Sequence, residues 1–127
     1  MQLLRAKTIK AKSPFQTKMV FWSLFVGSRG APNRIRIMSA LRKMSSNRNQ
    51  LAIELGIEYK AIQHHLKVLE KNNLVRKTGN RYGLTYCVSA LFKHNENVFD
   101  EIVDRLKNLR LSYSFVTFNE IPQLSLD

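Results

Sequence analysis

Apolar residues recur at helical spacing in several stretches of this chain and at alternating spacing in one. The clearest helical stretch is Tyr59 to Val75, Y-K-A-I-Q-H-H-L-K-V-L-E-K-N-N-L-V. At about 100° per residue, Ile62, Leu66, Leu69 and Leu74 fall on one side of a helix and mark it for a core. Lys60, Gln63, His64, Lys67 and Lys71 gather on the other side. Taken alone, that outer side reads as a solvated helix face. It also has what a DNA reader needs, hydrogen-bonding side chains for base edges and lysines for phosphates.

Before this stretch, Phe15 to Gly27 reads as a helix. Met19, Trp22, Leu24, Phe25 and Val26 cover so much of its circumference that burial on two sides is expected. Pro32 to Met44 is the next helix, with Ile35, Met38 and Leu41 inward, Ile37 and Ala40 broadening the stripe, and Arg34, Arg36, Arg42 and Lys43 in water. Asn47 followed by Gln50 resembles a capping box for a helix from Arg48 to Leu55, and Gly56 suits a left-handed stop. After Asn72-Asn73 the period changes. Leu74 to Lys77 leads into Thr78-Gly79-Asn80-Arg81 as a turn, and Tyr82, Leu84, Tyr86 and Val88 then alternate, which predicts a β-hairpin. Ser89 to Asn97 connects to a helix from Val98 to Leu111, with Val98, Ile102, Leu106 and Leu109 on one stripe. Ser112 to Phe118 alternate enough for a strand.

The pattern predicts a mainly α fold with a small β-hairpin, a winged helix-turn-helix with additional N- and C-terminal helices. Residues 1–14 form a basic arm, 15–111 the DNA-binding and dimerisation domain, and 112–127 a C-terminal tail or short strand. The helix-turn-helix rests on Ala52-x3-Gly56-x5-Ile62: a small residue where two helices cross, a glycine for the turn, and a branched residue pinning the second helix.

Charge sharpens the picture. The chain has 127 residues and a formal net charge of +12, with a pI near 10.3, so a polyanion is the expected partner. No Asp or Glu precedes Glu54. The residues assigned to DNA are Arg48, Tyr59, Lys60, Gln63, His64, Lys67 and Lys71, with Arg76, Lys77 and Arg81 on the hairpin. A merely solvated hairpin turn is the plainer alternative for the last three.

From Trp22 to Ser89 the chain resembles the winged helix-turn-helix regulators of prokaryotes, especially archaea, related to the arsenic-repressor (ArsR-type) family. N-Q-L-A-I-E-L-G-I (49–57), H-H-L-K-V-L-E-K-N-N-L-V (64–75) and Y-G-L-T-Y (82–86) carry the likeness. It implies a homodimeric, sequence-specific binder of double-stranded DNA, often a repressor, paired through terminal helices. Trp22, Phe25, Val98, Ile102, Leu106 and Leu109 are the expected dimer interface. The cysteine-rich signatures of metal-sensing members are absent, so no metal and no cofactor are expected, and the effector ligand is left open.

Other chemistry fares worse. His64 and His65 diverge by about 100° on a helix, so joint chelation is disfavoured. His65 reads instead as a packed, hydrogen-bonded residue. Cys87 is the lone cysteine, which excludes an internal disulfide and a cysteine-built zinc site within one chain, and fits a reducing, cytoplasmic setting. The run Met19 to Gly27 is short for a membrane span and Arg29 follows it, so no membrane role is expected. With no phosphate loop and no nucleophile elbow, an enzyme is disfavoured. The competing class is a winged-helix assembly module of transcription or replication machinery. Such a module more often presents an apolar patch where this chain is basic.

Overall fold

Two capping boxes start helices where the apolar pattern breaks. Ser13 Oγ accepts from the Gln16 amide at 3.1 Å while Gln16 Oε1 accepts from the Ser13 amide at 2.9 Å, opening α1 (Pro14–Phe25) with Pro14 in its first turn. Asn47 and Gln50 exchange the same two bonds at 2.8 Å each and open α3 (Arg48–Leu55). Gly56 closes α3 at φ 64°, the left-handed conformation expected of it. Between them lies α2 (Ala31–Lys43), and α4 (Tyr59–Lys71) follows the turn. The computed structural model describes residues 12–80 and 83–120, with side chains as far as 109. Most of the expected basic arm, the hairpin tip at 81–82 and residues 121–127 lie outside the described residues.

A two-stranded antiparallel sheet, β1 (Val75–Asn80) and β2 (Gly83–Val88), pairs Val75 with Val88 and Asn80 with Gly83. The hairpin is therefore longer than its sequence implied. Thr78, Gly79 and Asn80 belong to the ladder, not to a turn, and the Thr78 and Thr85 hydroxyls lie 3.1 Å apart across it. Gly79 is required there because its φ is 101° and a Cβ would run into the Gly83 carbonyl. Ser46 exchanges backbone hydrogen bonds with Tyr86, at 3.2 and 2.9 Å, fastening the hairpin to the start of the helix-turn-helix.

The connector after β2 is a short helix, α5 (Ala90–His94), whose amide at Phe92 is capped by Ser89 Oγ at 3.1 Å. It delivers Phe92 to the core, beside Phe21, Phe25 and Phe99, with ring centroids 5.0 to 6.1 Å apart in successive contacts. The last helix, α6 (Glu96–Glu120), runs through the residues that read as a tail or strand. Neither Gly nor Pro interrupts it, and Leu109, Tyr113 and Val116 keep a helical period beneath the alternation. The same core holds Leu51, Ile62, Leu66, Leu69 and Leu74 of the helix-turn-helix and the residues that follow it.

Two expectations about burial change. Arg34 is not in water but buried in the core side of α2. Phe25 and Ile102, expected at a dimer interface, are buried within their own chain and have no side chain left to offer a partner. Within the chain, helix α1 buries one side, with Thr17, Phe21, Leu24 and Phe25 inward. It leaves Phe15 and Met19 70% and 56% exposed on the other, the side on which a second subunit is expected. Trp22, Val98 and Leu106 are half-buried, and Leu109 is 66% exposed.

Candidate nucleic-acid interface

The hairpin packs beside α4, and an open groove of about 390 Å³ forms between the outer side of α4, the first turn of α3 and the hairpin. Its lining is Arg48, Lys60, Gln63, His64, Lys67, Glu70, Lys77 and Tyr86. Thus α4 presents its outer side to the groove while Ile62, Leu66 and Leu69 hold its inner side against the core. Arg48 arrives from the first turn of α3. Lys77 arrives from β1, which places two lysines of α4 and one of the hairpin around Gln63 and His64. Both of those are exposed, with donors and acceptors in reach of a ligand.

Of the ten residues assigned to DNA from sequence, six converge here. Tyr59 is exposed but sits beside the groove, with the Arg48 guanidinium carbon 6.0 Å from its ring centroid, so it steadies Arg48. Lys71 is exposed in the last turn of α4, where a cation suits the helix terminus, but does not line the groove. Arg76 alternates with Lys77 along β1 and therefore projects from the opposite face of the hairpin, paired with Cys87. Arg81 lies outside the described residues.

Two groove residues were missed from sequence. Glu70 is the groove's carboxylate, and its oxygen lies 3.8 Å from Lys77 Nζ, joining α4 to the hairpin. Helical spacing shows it, since Glu70 follows Gln63 by seven and Lys67 by three. Tyr86 stands directly across the ladder from Lys77 and brings a phenol to the floor of the groove. Its alternation in β2 marked it for the core only.

Behind the groove, polar contacts brace the helices. Arg36 donates to the Leu55 carbonyl at 2.5 Å, tying α2 to the end of α3. Arg42 makes a two-pronged contact with Asp100, at 2.7 and 3.3 Å, and reaches Glu96 at 3.4 Å. The hydrogen bond to Asp100 holds its guanidinium above the ordinary value. Two acids on α6 are thereby satisfied within the chain. His65 is buried against Arg34, as a packed and hydrogen-bonded residue.

A family model for bacterial regulatory proteins of the arsR family matches residues 31–77, from the first residue of α2 to the groove lysine of β1. The chain is 31% identical over 83 residues to the HTH-type transcriptional regulator NmtR of Mycobacterium tuberculosis, covering 65% of this chain and 68% of that one. The chain belongs to the arsR family. A transcriptional repressor SmtB homolog from Synechocystis sp. is 29% identical over 83 residues, 65% of this chain and 61% of its own length. Both relatives are thus bacterial regulators of transcription by name, and the match spans less than two thirds of the SmtB homolog and slightly more of NmtR. The fold agrees as well: the crystal structure of Rv0081 from M. tuberculosis superposes with a TM-score of 0.58 at 19% identity, over 80% of this chain and 99% of that one. Among the described residues no group of three or more His, Cys, Asp and Glu is placed to hold a metal ion, and no helix is long and apolar enough to cross a membrane.

Proposed function

We propose that this arsR-family protein is a sequence-specific regulator of transcription that binds double-stranded DNA as a homodimer and acts as a repressor in the cytoplasm. The observation that carries it is the convergence of Arg48, Lys60, Lys67 and Lys77 around Gln63 and His64. The lysines and the arginine hold phosphates on either side of a groove edge, while Gln63, at the centre of the exposed side of α4, meets a base edge, adenine being the base that suits its amide. The likeness to a named repressor supports the direction of regulation. The outer surface of Phe15, Met19, Trp22 and Leu109 supports a second copy there, which would supply the second reading helix.

Selection of bound duplexes from a random pool tests this. The enriched sequences are expected to be near-palindromes with half-sites about 10–10.5 base pairs apart. With about six to eight phosphates neutralised per dimer, log affinity should fall against log salt with a slope on the order of −5 to −7. No enrichment and a slope near zero would leave the assembly-module reading in its place.

A further inference from the structure

Arg34 and His65 are the most deeply buried ionisable pair described, 5% and 6% exposed, and they meet between α2 and α4 with Arg34 Nη1 3.3 Å from His65 Nδ1. The same guanidinium donates through Nε to the Leu24 carbonyl at 2.9 Å and through Nη2 to Ser28 Oγ. One side chain therefore ties the end of α1, the α1–α2 corner and the reading helix together. Gly30 completes the packing, because a Cβ there would stand 2.5 Å from His65 Cε1 and 2.7 Å from Arg34 Nη1.

No carboxylate among the described residues pairs with either group. The charges that act on His65 are Arg34 from α2 and His64 from its own helix; none from α3 or β1, the other elements packed on α4, contributes. Arginine keeps its proton and has only donors to offer, so the contact is a hydrogen bond only while His65 Nδ1 is bare. A proton on Nδ1 would set donor against donor and cation against cation in a site with no counter-ion.

We infer that Arg34 and His65 are a positioning pair that orients α4 against α1 and α2, and that protonation of His65 releases α4 and weakens DNA reading in acid. This rests on the DNA-reading function proposed above. Burial first, then the Arg34 charge and then His64, pull the His65 imidazole below its ordinary value, so the pair is intact at neutral pH. The sign is opposite to that of general surface electrostatics, because positive charge gained in acid along the basic groove would favour phosphate binding. Acid weakening of DNA binding therefore separates a buried device from simple surface electrostatics.

The test uses the full-length protein with His64→Gln as the parent and a duplex selected by that parent at about pH 7.5, at constant ionic strength. Because the His65 imidazole is held below its ordinary value, the parent should keep its affinity through the ordinary imidazole range and lose it only at more acid pH, by up to about tenfold per pH unit for each His65 that takes a proton. His64→Gln/His65→Gln, whose amide oxygen can accept from Arg34 and cannot titrate, should match its parent at pH 7.5 and stay flat. Equal acid loss in both, or loss in neither, overturns the inference. Without DNA or substitution, the imidazoles can be titrated by NMR in the wild type. That of His65 should stay neutral below the ordinary imidazole range, and a His65 ring that takes its proton at or above the ordinary value overturns the pair. Absence of duplex binding by the wild type at pH 7.5 would sink the DNA-reading function, and the NMR result would still decide on the pair itself.

Discussion

The half of the molecule built from α3, α4 and the hairpin keeps the apolar stripe of its central helix to itself, and the half built from α1 and α6 does not. Ile62, Leu66 and Leu69 of α4 are fully buried, so its exposed side is free to be wholly polar. Phe15, Met19 and Leu109 of the terminal helices are more than half exposed, and Trp22 and Leu106 are half-buried. Both halves are amphipathic, but among the described residues the stripe of α4 has its apolar partner in the core, whereas Phe15, Met19 and Leu109 have none; Ile53 of α3, 74% exposed, is the exception in the first half. On the proposed function, the basic half meets the polyanion and the terminal half meets a second copy of the chain.

Breaking the closed half should cost the most. Leu66→Ala removes a fully buried side chain beneath the groove and is expected to lower unfolding stability by about 2–5 kcal/mol in denaturant melts. Met19→Ala, on the open half, should leave the melt of the monomer within about 0.5 kcal/mol of the parent. A similar loss at both sites would erase the distinction between the halves.

Leu109→Glu attacks the open half where the chain's own core is not at stake. Sedimentation should show monomers, and specific DNA affinity should fall by about 100-fold or more, as two linked reading helices become one. A parent that is itself monomeric, or a mutant that stays dimeric with unchanged binding, would move the interface elsewhere.

Lys77→Ala sharpens the comparison with a smaller effect. Specific and random duplexes should weaken alike, and the salt slope should become shallower by about one phosphate contact per subunit. Because Glu70 already engages Lys77, at 3.8 Å, part of that lysine's charge is spent within the chain. Glu70→Gln should therefore raise affinity for both duplexes slightly, and a loss instead would give Glu70 a direct role at a base.

The helix-turn-helix was legible because local signals agree there. The Asn47–Gln50 capping box, Gly56 in a left-handed turn and the single-faced stripe of α4 all point to one structure, and the structure has them. Where signals were local but mutually compatible, the reading slipped. Residues 112–118 satisfy strand alternation and helical period at once, and only continuity with α6 decides between them. Thr78 to Asn80 look like a turn by composition, whereas cross-strand pairing places them in the ladder. Tertiary pairing was invisible. Arg34 falls on the inward stripe itself, three, four and seven residues before Ile37, Met38 and Leu41, and its charge outweighed that spacing in the reading. Its partners Leu24, Ser28 and His65 come only from the tertiary packing. Likewise Phe25 and Ile102 are as apolar as Leu109, and only packing shows which of them the chain uses for itself.

On the proposed function, the exposed side of α4 reads bases through Gln63 while the surrounding cations hold the backbone. The most direct measurement of this is the ratio of affinities for a selected duplex and a scrambled one, in the parent and in Gln63→Ala, at a single salt concentration. The ratio should shrink by about 1–3 kcal/mol in the mutant while affinity for the scrambled duplex stays unchanged. A ratio that does not move, or a scrambled-duplex affinity that falls in step with the selected one, would contradict it.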